Sequence, residues 1–142
     1  MHVLEQISLP GTVLKVSKLC LGTMTFGNPV REKEALRLVH HSLEKGLNFF
    51  DTANMYEGYD RFIGSPGGVA EKILGKAIRG KSVDAVIATK VGMKIGPGKA
   101  DEGLSPEHII RECEKSLKRL VSESIDLYYM HKPDPTIELE TS

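Results

Sequence analysis

No sign of charge dominates this sequence. Its 19 Lys and Arg are balanced by 19 Asp and Glu, which removes the basic excess that a nucleic-acid or membrane-surface protein needs. No apolar stretch approaches the ~20 residues of a membrane-spanning helix. The opening MHVLEQISLP has neither the basic region nor the apolar core of a secretory signal. Cysteine is scarce: Cys20 and Cys113 are the only two, and they lack metal-ligand spacing. They read as free thiols of a reducing compartment. The expectation is a soluble cytoplasmic protein with no nucleic-acid, membrane or metal partner.

What is present is an ordinary globular composition, 40 % apolar over 142 residues. A compact chain of that length buries roughly 70 % of its unfolded surface, as one domain. VLEQISL and TVLKVS flank Pro10-Gly11 and read as a small hairpin. KLCLGTM follows, a short apolar run broken by Gly22. In REKEALRLVHHSLEKG, Ala35, Leu36, Val39 and Leu43 share a helical face, and Gly46 ends it. Residues 47–52 (LNFFDT) form a buried strand. Ala70, Ile73, Leu74, Ala77 and Ile78 mark a second helix stopped by Gly80. Residues 83–90 (VDAVIATK) give a third strand. Ser105 caps a third helix with Pro106 at its first position. Its expected buried face is Ile110, Cys113, Leu117 and Leu120. A further strand spans 125–131, and PDPTIELETS reads as the cap of a following helix.

Apolar strands alternating with amphipathic helices mean a parallel sheet covered by helices, either doubly wound or a β/α barrel. A doubly wound nucleotide binder carries a glycine fingerprint after its first strand, and GTMTFG lacks it. The phosphate-binding P-loop pattern also fails, because Ala100 follows Gly98-Lys99 and Met93 stands where its first glycine belongs. The barrel is therefore favoured: an α/β fold of the (β/α)8 type. The chain supplies the hairpin, about four strands and three helices. Residues 1–142 make one incomplete domain, a half-barrel.

A barrel places its active site where strands end. Here strands end at Asp51, Lys90 and His131, each a functional side chain. Alternation along a strand points Asp51 with Phe49, Lys90 with Ala88 and His131 with Tyr129. If those residues face the barrel axis, the three polar groups converge at its mouth. Tyr56, a short loop beyond Asp51, folds back over them. An ammonium beside a phenol stabilises the phenolate and lowers the tyrosine pKa, and a carboxylate keeps that ammonium charged. Such a tyrosine exchanges protons near neutral pH, with His131 sharing in the transfer. The remaining histidines carry less. His40 and His41 point to different faces of a helix, and His2 and His108 have no evident partners. Cys20 and Cys113 read as core packing.

At this point the sequence resembles the aldo-keto reductases, through nearly all of its length. LCLGTMTFG is similar to that family's first strand and loop, and GLNFFDTANMY to the segment bearing its catalytic Asp and Tyr. EKILGKAI, VIATKVG and SLKRLVSESIDLYYMHKPD resemble the next helix, the lysine strand and the unit ending in the catalytic histidine. The resemblance implies that Tyr56 is the general acid and that Lys90 tunes it. It implies further that Asp51 pairs with Lys90 and that His131 orients the substrate carbonyl. The implied reaction is hydride transfer from NADPH to an aldehyde or ketone. Gly22, Thr23, Met24 and Asp51 are expected at the nicotinamide end. Phe26 and Met93, with Tyr56 and His131, are expected on the substrate side.

Two departures from the family matter. The link EGYDRFIGSPGG after Tyr56 is longer than usual and sits on the active-site face. Most of the cofactor site belongs to a second half that this sequence lacks. The isolated chain is therefore expected to be inactive, and to self-associate or pair with a C-terminal half. Phe49, Val86 and Leu127 are expected to lack opposing side chains on the inner wall. The alternatives are a nucleotide-binding regulatory or interaction subunit on the same fold, since some relatives act as channel-associated subunits, or a truncated inactive paralogue.

Overall fold

The computed structural model describes residues 4–81 and 85–142. His2, Val3, Val83 and Asp84 lie outside the described residues. Strands β1 (Gln6–Ser8) and β2 (Lys15–Ser17) pair antiparallel around the turn at Pro10-Gly11. Four parallel strands follow in chain order across one sheet: β3 (Cys20–Gly22), β4 (Phe49–Asp51), β5 (Val86–Val91) and β6 (Leu127–Met130). Helices α1 (Glu32–Glu44), α2 (Val69–Ile78) and α3 (Pro106–Leu120) form the crossovers. Each element stands close to where its apolar period placed it; β4 and β6 are shorter than their expected spans, and β5 runs one residue further, to Val91. Ser105 accepts the His108 amide at 3.3 Å, as its capping role requires.

The core lies between the helices and one face of the sheet. Phe50 and Ile87 from the strands meet Val39 of α1, Ile73 and Leu74 of α2, and Leu120 of α3. The other sheet face is the inner wall and is less covered. Phe49 and Leu127 are half-buried there, as expected, but Val86 is buried. At the foot of the sheet Asn48 joins the hairpin to β4. Its carboxamide accepts the Ser17 amide at 2.7 Å and donates to the Lys15 carbonyl at 2.9 Å.

Two packing expectations are corrected. Cys20 is exposed rather than core, because β3 is an edge strand and its Cys20 side chain belongs to the open wall. On α3 the buried stripe is His108, Glu112, Ser116 and Leu120. Ile110 is 61 % exposed, and Cys113 and Leu117 are only half-buried. Glu112 and Ser116 hold this face because partners satisfy them. Glu112 pairs with Lys115 at 2.8 Å and accepts from Asn54, and Ser116 accepts from Arg119 at 3.2 Å. Arg119 in turn donates to Glu71 of α2, a fully buried carboxylate that also accepts the Thr89 hydroxyl at 2.6 Å. A buried charge is tolerated when paired and hydrogen-bonded in this way. The network ties α2, α3 and β5 together. His40 links α1 to α2 through the Ala77 carbonyl at 2.9 Å.

Gly75 marks the tightest helix contact. A Cβ there would stand 2.6 Å from the Arg119 carbonyl oxygen and 2.7 Å from that of Leu120. Alanine usually improves a helix interior by about 1 kcal/mol over glycine. Here the backbone of α3 blocks it, and overpacking of this kind costs roughly 1–3 kcal/mol. Gly75→Ala is thus expected to lower stability in urea denaturation. Unchanged or raised stability would show that α2 and α3 do not approach this closely.

Candidate active site

The parallel register sets the site. Asp51 lies opposite Gly22 and Ala88, and Lys90 opposite Tyr129. Lys90 therefore stands two residues beyond the level where β4 ends, on the same face as Asp51. Its ammonium lies 2.6 Å from Asp51 Oδ2, 2.8 Å from the Thr52 carbonyl and 3.3 Å from the Tyr56 hydroxyl. Lys90 is 15 % and Asp51 30 % exposed at the side chain, so the pair is only partly open to solvent. The ammonium also sits 4.8 Å from the Tyr56 ring centre. His131 closes the group. Its ring meets that of Tyr56 edge-on, with centroids 5.7 Å apart and planes at 86°. Its amide donates to the Val91 carbonyl at 2.8 Å, which fixes the start of the loop after β6.

Burial lowers the His131 pKa below its ordinary value, and the Lys90 charge lowers it further against an opposing pull from Asp51. The imidazole is therefore uncharged at neutral pH. Cys20 stands beside Asp51 and Lys90, and desolvation followed by the Asp51 carboxylate pushes its thiol up to about 11. At neutral pH this exposed side chain is therefore a protonated thiol. Two buried polar atoms here, the Thr52 hydroxyl and His131 Nδ1, meet no hydrogen-bonding partner among the described residues.

The other expected site residues divide. Gly22 faces open space, since a Cβ there would meet nothing within 4 Å. Thr23 is fully buried, and both its amide and its hydroxyl bond the Asp51 carbonyl, at 2.9 and 3.0 Å. Thr23 thus steadies Asp51 through the backbone. Met24 is exposed and Met93 half-buried. Phe26 is 1 % exposed and belongs to the core behind the sheet. It does not line the mouth, because the turn after β3 carries it in toward the helices. Sequence reading missed the Thr52 carbonyl, since any residue type supplies one. It also missed Arg61, whose only signal was a lone arginine inside the link that follows Tyr56.

The family model described as the aldo/keto reductase family matches residues 18–142. The chain belongs to this family. The chain is similar to an uncharacterized oxidoreductase, YrpG, of Bacillus subtilis (strain 168), with 44 % identity over 139 residues. That match covers 92 % of this chain and 41 % of the relative. A probable voltage-gated potassium channel subunit beta of Arabidopsis thaliana is 40 % identical over 131 residues, covering 89 % of this chain and 37 % of the relative. Among solved structures, the aldo-keto reductase AKR11C1 from Bacillus halodurans (holo form) superposes with a TM-score of 0.79 at 31 % identity, covering 97 % of this chain and 43 % of that one. The chain thus spans about two fifths of the length of these relatives, and its fold is part of the aldo-keto reductase barrel.

The His131 environment makes a direct prediction. Its lowered pKa means that the unfolded chain binds this proton first as pH falls below about 6.5. The neutral ring's contribution to stability is complete above that value and is lost as pH falls through the native pKa. In a proton NMR titration the His131 ring should show a midpoint below 6.5. A midpoint at or above 6.5 would contradict the geometry described.

Proposed function

We propose that this chain carries the catalytic end of an NADPH-dependent carbonyl reductase acting on aldehydes or ketones. The observation that supports it is the placement of one ammonium, Lys90 Nζ, between the Asp51 carboxylate at 2.6 Å and the Tyr56 hydroxyl at 3.3 Å. Family membership raises the weight of that geometry.

The residues present fit the reacting end of a nicotinamide dinucleotide. Gly22 leaves room beside Asp51, and the Thr52 hydroxyl and His131 Nδ1 are buried polar atoms in want of a partner. Gly22, Thr23, Met24 and Asp51 would border it, Thr23 acting through its hold on Asp51. When bound, the nicotinamide supplies the hydride. On this reading the substrate carbonyl oxygen sits between Tyr56 Oη and the neutral His131 ring. Tyr56 gives its hydroxyl proton to that oxygen, and the Lys90 ammonium stabilises the phenolate left behind. Asp51 and the Thr52 carbonyl hold the ammonium in place. His131 orients the carbonyl by hydrogen bonding, and Met93 and Met24 border the substrate side. Charge placed in advance where it develops is the largest lever in such sites. Turnover belongs to a complete barrel on this reading. Among the described residues, β3 and β6 are the sheet edges, and such edges invite another segment or another copy.

A second reading draws on the similarity to a probable voltage-gated potassium channel subunit beta. Here the chain serves in an interaction subunit that keeps the barrel, and turnover is secondary. One pair of variants separates the two readings, made in a protein in which this chain replaces the matching segment of the Bacillus subtilis relative. Tyr56→Phe should lower carbonyl reduction by roughly 10²–10⁴-fold, the usual weight of general acid catalysis. NADPH affinity, read by fluorescence quenching, should stay within about threefold. Lys90→Met should depress turnover and change the pH dependence of kcat. Reductase activity of Tyr56→Phe within about threefold of the parent would overturn the assignment of the acid, whereas a parent that binds NADPH but reduces no carbonyl would favour the interaction subunit.

A further inference from the structure

The long link after Tyr56 is bolted to both neighbouring loops. On one side the Tyr59 amide donates to the Asn28 carbonyl at 2.9 Å, and Asn28 Nδ2 donates to Asp60 at 2.7 Å. On the other, Arg61 reaches the loop that follows the lysine strand. Its Nη2 donates to the Lys94 carbonyl, and its Nη1 donates to the Met55 carbonyl at 3.1 Å and to Ser65 Oγ at 3.2 Å. Glu57 lies 3.7 Å from the same guanidinium and also accepts from Ser65. The Arg61 and Glu57 side chains are 17 % and 12 % exposed.

We infer that Arg61 is a positioning residue for Tyr56. Its guanidinium grips the carbonyl immediately before Tyr56 and a carbonyl four residues beyond Lys90, so it sets the distance between phenol and ammonium. The inference rests on the reading of Tyr56 as the proton donor. A guanidinium this sheltered is costly unless its donors are met. Two of its acceptors are backbone carbonyls on different loops, satisfied together only when those loops are in register. Arg61 therefore selects the arrangement that holds Tyr56 against Lys90 and His131. The link acts as a fixed rim rather than a free flap. Lysine cannot substitute, because one ammonium lacks the planar fork that spans both carbonyls.

The test has two arms. In the chain itself, nuclear Overhauser contacts between the Tyr56 and His131 rings should be present and should weaken or vanish in Arg61→Ala. Should Arg61→Ala fail to fold, Arg61→Lys gives the same readout. In the protein completed with the relative's remaining segment, either variant should lose roughly 10–100-fold in kcat, the scale of a misplacement of about 1 Å. KM for the carbonyl and NADPH affinity should stay within about threefold. Millimolar guanidinium should restore part of the kcat of Arg61→Ala and none of Tyr56→Phe. Unchanged ring contacts, or kcat unchanged while Tyr56→Phe is inactive, would overturn the role of Arg61 alone. An active Tyr56→Phe would instead remove the reading on which it rests.

Discussion

The contact on which the site depends is that of the Lys90 ammonium with Asp51. Both groups are partly withdrawn from water, so each is held there at lower cost with the other as its partner. The parallel β4–β5 register brings them together at 2.6 Å, with no help from a loop. The pair is thus set by strand positions, while the third member, Tyr56, arrives on a segment that has to be held. The Thr52 carbonyl takes a further ammonium hydrogen at 2.8 Å and leaves the Lys90 charge aimed at the phenol. The chemistry assigned to Tyr56 is thus a consequence of strand register first and of loop anchoring second.

The layer outside the sheet serves the same end. Thr89, next to Lys90, points the opposite way and bonds Glu71, which Arg119 neutralises from α3. Alternation along β5 therefore fastens the strand to two helices on one side while it presents Lys90 on the other. Asn54, two residues before Tyr56, is buried and donates toward Glu112, and its amide bonds the Lys90 carbonyl at 3.2 Å. The start of the Tyr56 segment is pinned to both the lysine strand and α3 before the long link begins.

Much of this was legible in the sequence, for identifiable reasons. Pro10-Gly11, Gly46, Gly80 and Ser105-Pro106 punctuate the elements, and the apolar period between them is clean. Asp51, Lys90 and His131 stood out because each is polar at the end of an apolar run. Where reading failed, the deciding partner came from elsewhere in the fold. Ile110, Cys113 and Leu117 have the right spacing for a buried stripe, yet Glu112 and Ser116 took that face through Lys115, Asn54 and Arg119. Cys20 looked like core because nothing local says that β3 is an edge. Phe26 looked like a rim residue because the inward turn after Thr23 is set by hydrogen bonds to the Asp51 carbonyl. Arg61 was silent because the acceptors that give it meaning are main-chain carbonyls.

The central claim is that Asp51 acts through Lys90 and not independently of it. A double-mutant cycle with Asp51→Asn and Lys90→Met, reading kcat for carbonyl reduction in the completed barrel, tests that most directly. If the two residues work as one unit, the double variant should be little slower than the worse single variant, as expected for residues that act together. Losses that multiply, each residue contributing its full factor in the absence of the other, would contradict the account.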